Sequence, residues 1–168
     1  MPNHEKAPSE LSGATPSDND RHLDFHPGMG MRWEITRSTE DTAGELFEAT
    51  NWVDPHMPGP PVHWRTVRAG ETATVPAGVP HTLRNASAEP ARIVNIHRPA
   101  QQFESFFRGM HSLIQQGKIK RLPPKEPRSA IYAAMLFGKY PQEIRTTKPP
   151  NGVFKSLAFV GRALRFKL

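Results

Sequence analysis

A chain of 168 residues is long enough for one sizeable core with tails besides. It has no cysteine, which excludes disulfides and thiolate metal sites, so any metal must be held by nitrogen or oxygen, for which eight histidines are at hand. The net charge of +6 is uneven: residues 118–168 carry 12 Lys/Arg against Glu126 and Glu143, a net of +10, leaving −4 on the remainder.

Such a basic region suits an anionic partner or an acidic face of its own chain. No nucleic-acid motif accompanies it, so docking on its own domain is the preferred reading and no specific nucleic-acid partner is expected. No apolar stretch approaches the roughly 20 residues that span a bilayer, and no basic-then-apolar start marks a secretory signal. A soluble, cytoplasmic protein is expected. Eighteen Pro and 12 Gly point to a loop-rich β domain rather than a helix bundle.

Residues 1–26 begin polar and rich in Pro and Ser, and are expected to be a disordered N-terminal tail in which His4 and His22 are solvated. From Met31 the pattern changes. Arg32–Thr36 alternates polar and apolar as a half-buried strand does, Thr42–Gly44 reads as a turn, and Glu45–Val53 as a second strand. Pro55, Pro58, Gly59, Pro60 and Pro61 end it in a rigid loop. Short strands are then predicted at Val62–Val67, Thr72–Val75, Thr82–Asn85 and Ala91–Ile96. Regular strand spacing with turns between indicates a sandwich or barrel over residues 27–100.

After Pro99 the period switches to that of a helix. Phe103, Phe106, Phe107, Met110, Leu113 and Ile114 share one face, and Gly117 stops it. Two more helices are predicted near Arg128–Tyr140 and Gly152–Phe166, making residues 101–168 a helical, basic C-terminal tail. The last helix is expected to bury Phe154, Leu157 and Val160 while showing Lys155, Arg162, Arg165 and Lys167. It could lie on an anionic membrane, but packing on the barrel is the preferred reading.

The most informative stretch is Gly70–Asn85. Pro76-Ala77-Gly78 makes a tight turn, and His81 opens the strand after it, a place where an inward imidazole could act as a ligand. Gly70, Pro76, Gly78, His81 and Asn85 match every fixed position of G-x5-P-x-G-x2-H-x3-N, the second cupin motif. The chain here resembles the cupin superfamily, and the likeness extends over residues 27–117. The resemblance implies a mainly β fold, the cupin double-stranded β-helix or jelly-roll barrel, followed by the helical tail.

The first cupin motif, G-x5-H-x-H-x3,4-E-x6-G, is only half present. His63 holds the first His position, but Arg65 stands at the second, and no carboxylate follows at the proper distance. His63 and His81 lie 18 positions apart, about half of what the family needs for the intervening strands. The resemblance thus implies a shortened barrel lacking a hairpin of about 20 residues between His63 and Trp64. Edges left unpaired by that loss favour a homodimer formed by strand pairing.

What the resemblance implies for chemistry follows from the ligand count. His63 and His81 are the candidate metal ligands of an incomplete site for one divalent ion (Fe, Mn, Ni, Cu or Zn), or for none. His26, His56 and His97 could compensate, although each alone is read as structural or solvated. Arg65 is read as an exposed arginine, with anion binding as the alternative. Gly70, Pro76, Gly78 and Asn85 form the motif scaffold. The preferred function is a cupin-domain protein of unassigned activity that binds a small molecule in the barrel mouth, with a weak or vestigial metal site. The alternatives are a metal-dependent dioxygenase or isomerase acting on a small organic substrate, and an interaction module using the basic tail.

Overall fold

The computed structural model describes residues 18–57, 65–79, 81–143 and 151–168. A short 3-10 turn, Asp18–Arg21, leads into β1 (His22–Asp24), followed by β2 (Met31–Arg37), β3 (Phe47–Val53) and β4 (Ala91–His97). These four strands form one antiparallel sheet in the order β1-β2-β3-β4. Three helices follow: α1 (Phe103–Gln115), α2 (Pro127–Lys139) and α3 (Asn151–Ala163). The architecture is therefore a four-stranded antiparallel sheet with three helices, less dominated by sheet than the sequence suggests.

The register explains which face is buried. Leu23 pairs with Trp33, Trp33 with Asn51, and Asn51 with Ile93, so these four line one row of one face. Met31, Trp33, Ile35, Phe47, Ala49 and Val53 share that face and are buried. Against it lies α1, whose Phe103, Phe106, Phe107, Met110, Leu113 and Ile114 fulfil the helical spacing read from the sequence. The Trp33 and Phe107 rings meet with centroids 4.3 Å apart, and Phe25 packs edge-on to both. Each such side chain contributes about 1.5–3 kcal/mol on burial. Sheet and helices thus share one core, and α1 is part of the domain rather than an appended tail.

Three sequence expectations differ from the structure. The first concerns β1, which falls inside the stretch expected to be disordered. Leu23 and Phe25 are buried there, one of them paired with Trp33. A three-residue strand is too short for its alternation to stand out from a polar flank. The second concerns the segment between β3 and β4. Thr72–Val75 and Thr82–Asn85 form no strand, nor do Arg65–Val67, while residues 62–64 lie outside the described residues. Val67, Val75, Val79 and Leu83 remain exposed. Strand propensity needs a partner ladder to become a strand, and these residues pair with none.

The third concerns α3, in which Val160 is exposed and Ala158 and Gly161 form the buried contact instead. Gly161 lies so close to α2 that a Cβ there would come 2.5 Å from the Met135 sulfur and 2.7 Å from Ile131 Cγ2. Small residues let the two helices approach, and that rotates Val160 outward.

The second face of the sheet is open along β4. Val94 and Ile96 are 56% and 54% exposed there, whereas Thr50 of β3, paired with Val94, is buried. A closed barrel would lay a second sheet over one face. Among the described residues no second sheet does so, because the segment that would supply it forms no strands.

Candidate functional site

The 70–85 segment is shaped by backbone rather than by packing. Gly70 and Gly78 have φ of +84° and +78°, and a Cβ at either position would meet nothing within 4 Å. Their requirement for glycine is conformational: each is the third residue of a tight turn that needs positive φ. In the first turn the Glu71 N–H donates to the Arg68 carbonyl at 3.0 Å. In the second the Val79 N–H donates to the Pro76 carbonyl at 3.2 Å.

Asn85 latches this segment to the sheet. Its Nδ2 donates to the Val53 carbonyl at 3.2 Å and to the Glu89 carbonyl at 2.7 Å. Its Oδ1 accepts from the Ser87 backbone N–H at 3.0 Å and from the Ser87 hydroxyl at 2.7 Å. At 6% exposure it is buried in the loop, and the bond to Val53 ties the end of β3 to the approach of β4. The His56 N–H adds a second tie, donating to the Ser87 carbonyl at 3.1 Å.

His81 emerges between the second turn and this latch. Its Nδ1 lies 2.9 Å from the Val79 carbonyl. A carbonyl can only accept, so Nδ1 carries the proton and the neutral ring keeps its Nε2 lone pair free. The side chain is exposed. His97, at the end of β4, stacks on Phe103 with centroids 3.3 Å apart and planes 20° apart. Burial, with a smaller contribution from the neighbouring His81, pushes its pKa down to about 4. The structure therefore brings His97 within electrostatic reach of His81 and keeps it neutral near pH 7.

The other sequence candidates fare differently. His63 lies outside the described residues. Arg65 is exposed and lies on no strand. His56 is exposed, with φ of +53°. His26 is engaged on both ring nitrogens, Nδ1 being 2.6 Å from Asp24 Oδ1 and Nε2 2.8 Å from Asp54 Oδ2. The hydrogen bond to Asp24 raises its pKa against the opposing effect of burial, and Asp54 adds to the rise. An imidazolium clasped between two carboxylates has no lone pair for a metal. This clasp joins residues 28 positions apart, a distance at which no local motif announces it.

Sequence reading also missed Asn51. It is buried at 2% exposure in the row between Trp33 and Ile93, and its Oδ1 lacks a hydrogen-bond partner among the described residues. A polar residue at an inward position of an alternating strand was the available signal.

A catalytic metal centre normally draws on three or more protein ligands. Among the described residues no group of three or more His, Cys, Asp or Glu is gathered as an ion requires. Among the described residues, His81 and His97 supply two imidazoles, fewer than the three donors such a centre uses.

The family model described as Cupin domain matches residues 61–97, from the Pro-rich loop to the last residue of β4. Searches of curated proteins and of solved structures give no match.

Proposed function

We propose that the chain, whose residues 61–97 match the cupin-domain family model, is a small-molecule-binding cupin with a vestigial metal site. The observation that carries this reading is an intact second motif, with its turns and Asn85 latch in place, joined to a first motif in which Arg65 replaces the second histidine. The scaffold still presents His81, within electrostatic reach of His97, and among the described residues no further donors are gathered there. Any divalent ion that His81 takes, with or without His63, is bound weakly.

The two imidazoles offer hydrogen-bonding nitrogen to a hydroxyl or amide group, and exposed Val79 and Leu83 of the same loop offer apolar contact. A thermal-shift screen of small polar organics against wild type, His81→Ala and His97→Ala tests this site. Binding there stabilises wild type and leaves both variants unmoved. Equal stabilisation of all three would place the ligand elsewhere and contradict the reading.

The same shortening bears on assembly. β4 is the last strand of the sheet, with β3 on one side and no partner on the other among the described residues. Its unpaired backbone groups, beside exposed Val94 and Ile96, suit pairing with the β4 of a second copy about a two-fold axis.

A further inference from the structure

The docking of α3 on α2 determines what α3 shows to solvent. Ala158 and Gly161 are buried, Phe154 meets Phe137 with ring centroids 5.4 Å apart, and Phe166 meets Tyr132 at 4.9 Å. These contacts hold one side of the helix inward, so the opposite side faces water as a rigid surface.

That outward surface is apolar and basic at once. Phe159 is 67% exposed and Leu164 62%, with Val153, Val160 and Leu168 also exposed. Val153, Val160 and Leu164 follow one another at seven and four residues and so form one stripe. Lys155, Phe159 and Arg162 form another at four and three, which borders the outward side from its other flank and brackets the phenylalanine with two exposed cations. Arg165 and Lys167 are exposed just beyond the helix. Residues 144–168 carry six Lys/Arg and no Asp or Glu.

We infer that this surface of α3, with residues 164–168, docks on an anionic lipid bilayer, lying in its interface. Charge and exposed apolar side chains point to one occupant. The cations attract lipid phosphates and carboxylates, while Phe159, Val160 and Leu164 enter the acyl boundary and leave Lys155 and Arg162 at headgroup level. A nucleic acid would satisfy the cations but leave the aliphatic stripe in water. No helix among the described residues is long and apolar enough to cross a membrane, so the attachment is peripheral.

The test is co-sedimentation of the full chain with vesicles of phosphatidylcholine alone or with roughly one-third phosphatidylserine. Wild type partitions onto the phosphatidylserine vesicles, and raised salt weakens the binding. The pair Lys155→Ala and Arg162→Ala lowers partition about fivefold per residue removed. Phe159→Ser lowers it about tenfold. All three positions are exposed, so the variants keep the fold, which circular dichroism checks. Three results would overturn the inference: no partition onto phosphatidylserine vesicles at low salt; partition unchanged by Phe159→Ser and matched by retention on DNA; or a stable dimer that Phe159→Ser dissolves, with no vesicle binding.

Discussion

Replacing Asn85 by alanine tests whether the second-motif asparagine acts as a structural latch. The substitution removes four hydrogen bonds, two donated by Nδ2 and two accepted by Oδ1. Each such bond is worth about 0.5–1.5 kcal/mol net. The four are not independent, because all depend on one side chain and the Ser87 hydroxyl also bonds the Glu89 carbonyl at 2.8 Å. Losing them together costs about 2–3 kcal/mol, a drop in Tm of roughly 5–10 °C for a chain of this size. Chemical denaturation of wild type, Asn85→Ala and Ser87→Ala measures it, with the serine variant losing about 1 kcal/mol or less because Asn85 keeps its bonds to Val53 and Glu89. The His81 resonances should also shift in Asn85→Ala, since the loop that carries them is released from β3. A loss below about 0.5 kcal/mol, with His81 unmoved, would refute the latch.

Three further outcomes follow from the same geometry. The His26 clasp makes stability depend on pH from both sides. The raised His26 pKa gives a contribution that is present below the unfolded value near 6.5 and lost as pH rises through the folded pKa. For Asp24, burial alone would raise the pKa, but hydrogen bonds from His26 lower it, so its contribution is lost only as pH falls through the folded value. The advantage of wild type over His26→Gln should therefore be greatest between about pH 4 and 6.5 and shrink at alkaline pH; a flat difference would refute the clasp. Gly78→Ala, at φ +78° with open space around it, should cost about 1–2 kcal/mol through backbone conformation alone, and denaturation showing no loss would remove that argument. Ile96→Lys, on the open face beside the free edge of β4, should shift the chain from dimer to monomer by light scattering. A monomeric wild type would remove the pairing proposed through β4.

Legibility in the sequence tracked how local the determining physics is. The α1 face from Phe103 to Ile114 and the strands at Met31–Arg37, Phe47–Val53 and Ala91–His97 were readable because periodicity alone defines them. The strands expected near Thr72 and Thr82 had the right residues, yet a strand exists only with a neighbour. The shortened first motif already implied that the neighbours were gone. The inward turn of His97 is not legible in the sequence, because apolar Ile93 and Ile96 sit on opposite faces of β4, and only Phe103, from α1, settles which face is covered. The clasp of His26 by Asp24 and Asp54 and the buried Asn51 depend on register between strands, which no single window of sequence contains. The positions read as motif scaffold are accounted for at Gly70, Gly78 and Asn85 by turn geometry and hydrogen bonding, whereas a role for His81 stays a proposal.

We propose that the chain keeps the scaffold of the second cupin motif but holds no resident metal. Elemental mass spectrometry of the purified full chain, run beside His81→Ala, tests it most directly. Well under one equivalent of Fe, Mn, Ni, Cu or Zn is expected in both samples, with no difference between them. Close to one equivalent in wild type, lost in His81→Ala while the variant stays folded, would contradict it and show that His81 anchors a rebuilt metal centre.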